Sequence, residues 1–266
     1  MGEFVDVLRQ GPVARVVMHR NGNNAMAAEL TEELQAAFQE LGADQGCRVV
    51  VLQSEYERYF SVGADLTQMG GMDRTASDAE EQILGMMRRA TSGYDAIAAC
   101  PKPVIARING HALGGGCELA LCCDYRVMVE DGRSRIGQTE SSLGIIPGAG
   151  GTQRLVRLLG RARALPLMYE SVRLSAREAE AIGLVNRAVA PEDLDPAVDE
   201  LAGRLARAAT FAIAMIKDAV NRGQDLPIDQ GLGIEARNFA RTALSEDAVI
   251  GIMAFFQKQE PEFRGR

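Results

Sequence analysis

Apolar and polar positions along the chain recur with two different periods, and the switches between them mark out its elements. Residues 4–8 and 13–19 alternate or run apolar on either side of Gln10-Gly11-Pro12, the pattern of a hairpin. After the loop Asn21-Gly22-Asn23-Asn24, the residues Leu30, Leu34, Phe38 and Leu41 return at helical spacing and predict a helix over 27–41. The run Arg48 to Leu52 reads as a buried strand, so the strand–helix–strand order implies a parallel crossover. A second helical period, through Ile83, Leu84, Met87, Tyr94 and Ile97, predicts one helix over 77–99, stopped by Pro101. Val104 to Ile108 predicts another buried strand, closed by Asn109-Gly110. Behind Gly114-Gly115-Gly116, the small apolar residues 117–123 are long enough for two helical turns. Tyr125 to Glu130 predicts a strand ending in the turn Asp131-Gly132, and residues 152–159 a helix opened by a glycine run. Ser175-Ala176-Arg177-Glu178 has the form of a capping box, with Gly183 just past the helix end. From about residue 192 the pattern is nearly all helical, over 192–208, 211–222, 228–243 and 246–257. That change of composition divides the chain into a core over 1–190 and a helical region over 191–266.

Composition narrows the classes. The 266 residues, 47% hydrophobic, supply one large domain or a domain with a helical appendage. Thirty-six acidic against 29 basic residues give −7, which argues against a general nucleic-acid surface. No apolar run approaches the ~20 residues of a membrane span. The opening MGEFVDVLRQG lacks a signal-peptide apolar stretch, so a cytoplasmic location with no membrane association is expected. The five cysteines, Cys47, Cys100, Cys117, Cys122 and Cys123, are odd in number and mostly in apolar contexts, which reads as buried free thiols. Their spacing matches no zinc template, and no metal is expected.

Candidate chemistry concentrates in PKPVIARINGHALGGGCELALCCD, residues 101–124. Glycines ahead of a helix let a ligand approach the main chain, and the first N–H groups of that helix lack internal partners and carry the positive end of its dipole. A polarised carbonyl oxygen or an oxyanion fits there, with the carboxylate of Glu118 in the first turn beside it. Upstream, in Phe60-Ser61-Val62-Gly63-Ala64-Asp65, Gly63 supplies an unusual backbone angle that leaves the Ala64 N–H pointing outward. Downstream, QTESSLGIIPGAGGTQRL, residues 138–155, carries a second carboxylate, Glu140. Its run Gly148-Ala149-Gly150-Gly151 fits neither G-x-G-x-x-G nor the lysine-bearing phosphate loop, and reads as a close-packing turn supporting Glu140.

These three segments, in this order, resemble the signature of the enoyl-CoA hydratase/isomerase (crotonase) superfamily, and the tail from Phe255 to Gly265 is similar to the family's C-terminus. The resemblance implies an α/β fold, a crotonase-like spiral of repeated ββα units with a C-terminal helical oligomerisation region. It also implies an enoyl-CoA hydratase adding water to a 2-enoyl-CoA, with a CoA thioester as substrate and no cofactor. Ala64 and Gly115 become the two N–H donors to the thioester oxygen, and Glu118 and Glu140 the pair that deprotonates water and delivers the α-proton. Ala25, Gly63, Asp65, Leu66 and Gly114 are implied to line the substrate. Lys258 and Arg264 are implied to meet the phosphates of CoA on an adjacent subunit of a homotrimer or homohexamer. Residues 66–76 read as a flap beside the acyl chain, with Met69 and Met72 lining it. Val62 and Thr139 depart from the residues usual at their positions, and the stretch between Asp124 and Glu140 is two residues longer than usual.

Rival readings are an isomerase, a hydratase of a branched, cyclic or aromatic acyl-CoA, and a non-catalytic acyl-CoA- or RNA-binding relative. Many isomerases keep only one acid/base carboxylate, so two favour hydration. A thiol nucleophile fares badly: only His19 and His111 could serve as its base, and the charge of Glu118 disfavours a thiolate on Cys117.

Overall fold

A computed structural model of the chain describes residues 2–69 and 75–266. The side chain of Met69 and the whole of Met72, both expected beside an acyl chain, lie outside the described residues. The expected hairpin forms from β1 (Val5–Gln10) and β2 (Val13–Met18), paired antiparallel. From β2 onward the strands pair with one another in parallel: α1 (Ala28–Ala43) crosses to β3 (Val49–Ser54), which lies beside β2. A short strand, β4 (Tyr59–Ser61), then precedes α2 (Ala79–Ala90) and α3 (Ser92–Ala99). The same unit recurs as β5 (Val104–Ile108), β6 (His111–Leu113) and α4 (Gly115–Leu121). It recurs again as β7 (Tyr125–Val129), β8 (Ile136–Gly137) and α5 (Gly151–Leu159). The long strands build one sheet in the order β1-β2-β3-β5-β7-β9, closed by β9 (Arg187–Val189), and the short ones a second sheet, β4-β6-β8. This stacking is the expected spiral of ββα units. Before β9 come α6 (Arg161–Tyr169) and α7 (Ala176–Ala181), the latter held by the expected capping box between Ser175 and Glu178.

Alternate residues of the central strands enter two apolar clusters, which is why those strands read as continuous apolar runs. Val50, Leu52, Val104, Ala106 and Ile108 pack with Leu30, Leu34, Phe38 and Leu41 of α1. Val49, Val51, Ile105 and Val127 pack on the opposite face with Leu194, Ala197, Val198 and Ala202 of α8 (Leu194–Arg207). Ion pairs Arg15–Asp199 and Arg107–Asp195 fasten α8 to β2 and β5. The first helix of the C-terminal region is therefore a layer of the core's own sheet.

Beyond it, α9 (Thr210–Gly223) and α10 (Ile228–Ala243) pack against each other, and α11 (Glu246–Gln257) follows. Lys217 of α9 is anchored to Asp124 at 2.8 Å, and Asn221 to the carbonyl of Ala98. Ile216, Ile228, Phe239, Leu244, Phe255 and Phe256 of this region stand exposed. Among the described residues, no helix is long and apolar enough to cross a membrane.

The single helix expected over 77–99 is instead two, broken at Thr91. The hydroxyls of Thr91 and Ser92 donate back to the carbonyls of Arg88 and Arg89, a local bond that competes with helix propagation. The break sets α3 against α1, where a Cβ on Gly93 would stand 2.5 Å from the Thr31 carbonyl oxygen. Gly93→Ala should therefore lower unfolding stability by about 1–3 kcal/mol, as overpacking does. Chemical denaturation measures this, and an unshifted midpoint would contradict the close α1–α3 packing.

Candidate active site

Functional segments of a parallel sheet gather beyond the carboxyl ends of its strands. Here Ala25 follows β2, Gly63 to Leu66 follow β4, Gly114 to Glu118 follow β6, and Glu140 follows β8. Two glycines let the loops meet. Gly63 has φ 95° and Gly114 has φ 52°, in the left-handed half of backbone space that glycine tolerates. Gly63 also lies so close to β6 that a Cβ there would be 2.7 Å from the Leu113 carbonyl oxygen and 3.1 Å from Gly115 N.

Met26 pins the first loop by donating its N–H to Gly63 O (2.7 Å) and accepting the N–H of Asp65 (2.9 Å). The Ala64 N–H between them is left without a protein acceptor among the described residues, and so is the Gly115 N–H at the head of α4. A Cβ on Gly115 would stand 3.4 Å from Ala64 N, so the two free donors belong to one small region. Arg20 braces the rim: its guanidinium donates to Ala25 O (2.7 Å) and to Asp65 (2.9 Å). Asp65 also accepts from the Thr67 hydroxyl at 2.6 Å, and these bonds hold its carboxyl below the usual range, the Thr67 hydroxyl contributing most. Leu66, exposed, starts the short turn that follows.

Both carboxylates are buried, Glu118 being 3% and Glu140 9% exposed. Glu118 Oε1 accepts the N–H groups of Ala149 and Gly151, each at 2.7 Å. The glycine run expected to support Glu140 thus cradles Glu118 instead: its backbone turns inward and spends two N–H groups on that carboxylate. Arg154 keeps the run in place by donating to the Ala149 carbonyl at 2.7 Å. Burial still raises the Glu118 pKa, against these opposing hydrogen bonds. Glu140 is pushed up to about 7, first by burial and further by the charge of Glu118. Its Oε1 stands 3.0 Å from where a Gly114 Cβ would be, which places it at the glycine turn. The buried amide of Gln138 lies 3.2 Å from both Glu140 oxygens when its nitrogen faces them, the orientation that suits the ionised carboxylate.

The structure thus brings Ala64, Gly115, Glu118 and Glu140 together, with Ala25, Gly63, Asp65, Leu66 and Gly114 on the same rim. Lys258 and Arg264 lie elsewhere in the chain. Lys258 caps α11 with φ 56°, and Arg264 pairs with Glu246 at 2.6 Å while its N–H reaches Asp247. This tail is docked near the amino end of β3, where Arg48 donates to the Phe263 carbonyl at 2.8 Å, opposite to the carboxyl ends that bear the site. His111 accepts from the Arg135 N–H through Nδ1, and burial drives the Cys117 thiol far up, so neither offers a nucleophile pair. All five cysteines are buried and free, and the described residues hold no cluster of metal-ligating side chains. The sequence reading saw the run holding Ala149 and Gly151 but gave it the wrong carboxylate, and Arg154 and Gln138 escaped it. All four act through backbone or through another residue, and no side-chain pattern marks such a role.

Two unpaired N–H donors beside two buried carboxylates, one poised near neutrality, can stabilise an enolate and move protons at its carbons. Comparison with known proteins agrees with the architecture. The enoyl-CoA hydratase/isomerase family model matches residues 9–266, and the chain belongs to that family of enzymes. A probable enoyl-CoA hydratase of Rhizobium meliloti is 38% identical over 268 residues, 99% of each chain. The 2,3-dehydroadipyl-CoA hydratase of Escherichia coli is 37% identical over the full length of both. The crystal structure of an enoyl-CoA hydratase from Bacillus anthracis superposes with a TM-score of 0.90 at 34% identity, covering 99% of this chain and 100% of that one.

The raised Glu140 pKa has a signed consequence for stability. A carboxyl held at about 7 in the fold, above its usual 4.5, keeps its proton while the unfolded chain releases one. Stability therefore falls as pH rises across that window, and the cost is complete above it. Glu140→Gln removes the cost, and should stabilise the protein by about 1–3 kcal/mol more near pH ~8 than near pH ~5. Denaturant titrations at both pH values test this; an equal effect at both would contradict a protonated Glu140.

Proposed function

We propose that this protein is an enoyl-CoA hydratase, adding water syn across the double bond of a 2-enoyl-CoA to give the 3-hydroxyacyl-CoA. The observation that carries the reading is the convergence of the unpaired Ala64 and Gly115 N–H groups with buried Glu118 and Glu140. The thioester carbonyl oxygen would accept both N–H groups, drawing electron density from the β-carbon. Glu118 binds the attacking water. Its Oε1 is already filled by two N–H groups, so Oε2 is the oxygen left to accept the water's proton. The new C–O bond forms at the β-carbon as the π electrons move onto the thioester oxygen, where the two donors stabilise the enolate. Glu140, carrying a proton near neutral pH, delivers it to the α-carbon and regenerates the thioester carbonyl. Transfer of the proton from Glu118 back to Glu140 through solvent restores the starting state.

The relatives named as hydratases support hydration over isomerisation, as does the retention of both carboxylates. The CoA moiety is assigned to the rim of Ala25, Gly63, Asp65, Leu66 and Gly114, with Lys258 and Arg264 meeting its phosphates from an adjacent subunit. The exposed apolar face of α9 to α11 is what a trimer, or a hexamer of two trimers, would bury.

A panel of enoyl-CoAs differing in length and branching, followed by formation of the 3-hydroxyacyl-CoA, tests the reaction. Ala64→Pro removes one donor with little change in bulk, and should lower turnover by ~10²-fold or more in a folded protein. No hydration of any panel member by the wild type, or near-normal turnover by folded Ala64→Pro, would overturn the reading.

A further inference from the structure

One buried ionisable group beside the carboxylates has no part in these proton transfers, the phenol of Tyr94. It is 2% exposed, and its hydroxyl donates to the Gly115 carbonyl at 3.2 Å. The phenol oxygen stands 3.0 Å from where a Gly115 Cβ would project, in the same space that Ala64 N and Gly63 Cα border at 3.4 and 3.5 Å. The hydroxyl therefore sits beside both donor peptides. Burial, reinforced by the nearby Glu118 and only partly opposed by Arg154, holds it protonated, so it serves as a donor and not as a base.

Three consecutive glycines have no side chains of their own to anchor the peptides, so whatever fixes them must come from neighbouring groups. Among the described residues, the Tyr94 bond is the one side-chain hydrogen bond to the backbone of Gly114 to Gly116. The helix that carries Tyr94 is itself braced on two sides. Gly93 lies against the Thr31 carbonyl of α1, and Asp95 pairs with Arg154 at 3.3 Å. Arg154 in turn holds the Ala149 carbonyl of the loop that cradles Glu118. A chain of contacts thus runs from α1 through α3 to the head of α4, with a second branch to the Glu118 cradle.

We propose that Tyr94 is a positioning residue whose hydroxyl holds the Gly115–Gly116 peptide by its carbonyl and so, through the Gly115 Cα, fixes the preceding peptide, whose Gly115 N–H stays aimed at the thioester oxygen while negative charge builds there. The role rests on the hydratase reading. The experiment compares wild type, Tyr94→Phe and Ile97→Val, the last a core change on the same helix that leaves the hydroxyl in place. Each is assayed for hydration, and each is titrated with cinnamoyl-CoA, whose ultraviolet band shifts to the red when donors polarise its carbonyl. Tyr94→Phe should lower kcat about 10-fold with KM within about twofold, since misdirected catalytic groups lose rate more than binding. It should also shrink the red shift, whereas Ile97→Val leaves the shift unchanged. An ortho-fluorinated tyrosine at position 94, a stronger donor of nearly the same shape, should enlarge the shift, and serves where Tyr94→Phe does not fold. An active wild type whose kcat and red shift are both unaltered by Tyr94→Phe, or by the fluorinated residue in its place, overturns the proposal. So does a loss of kcat with the shift unchanged. A wild type that binds and polarises cinnamoyl-CoA but hydrates nothing contradicts the hydratase reading alone.

Discussion

The contact on which the structure depends is the approach of the Ser61–Ala64 loop to the glycines that open α4. Backbone meets backbone there: a Cβ on Gly116 would stand 2.4 Å from the Ser61 carbonyl oxygen, and one on Gly63 would stand 2.7 Å from that of Leu113. No side chain fits between, so the two peptides that carry free N–H groups are forced side by side. The small sheet β4-β6-β8 holds these loops in parallel register, and the large sheet behind it supplies the buried support. Preorganised donors of this kind need no rearrangement when charge develops, which is the source of their effect.

Hydrogen bonding, on top of a desolvation they share, sets the two carboxylates apart. Both lie in the same dry region, but Glu118 receives two backbone N–H bonds through one oxygen, and these favour its charged form. Glu140 feels burial and the charge of Glu118, and its proton is held to about neutrality. The proposed division of work, with Glu140 as the acid, rests on this asymmetry.

Much of the fold was legible because parallel strands buried on two faces and helices with one apolar face leave plain periodicities. Val49 to Leu52 and the Leu30-Leu34-Phe38-Leu41 stripe are examples. The strands β4, β6 and β8, of two or three residues each, are too short to carry a period. The split of α2 from α3 was hidden because Tyr94 and Ile97 continue the apolar spacing across Thr91, while the break is made by hydroxyls bonding backward. Within the site, the glycine motifs and both glutamates stood out, and the resemblance to the family gave them their partners. The supporting shell did not. The run 148–151 was visible, yet which carboxylate its N–H groups reach depends on how α5 packs on α4, a tertiary fact. Tyr94 looked like any other apolar-face residue of its helix.

The central claim is that the two glutamates divide the work, Glu118 on water and Glu140 on the α-proton. Exchange of the α-hydrogens of a saturated acyl-CoA in heavy water isolates the second task, because it needs the oxyanion donors and the α-proton base but no addition of water. Glu118→Gln, whose amide oxygen can still accept the Ala149 and Gly151 N–H groups, should lose hydration yet retain most of this exchange. Glu140→Gln should lose both. Full hydration by Glu118→Gln, or wild-type α-exchange by Glu140→Gln, would contradict the account.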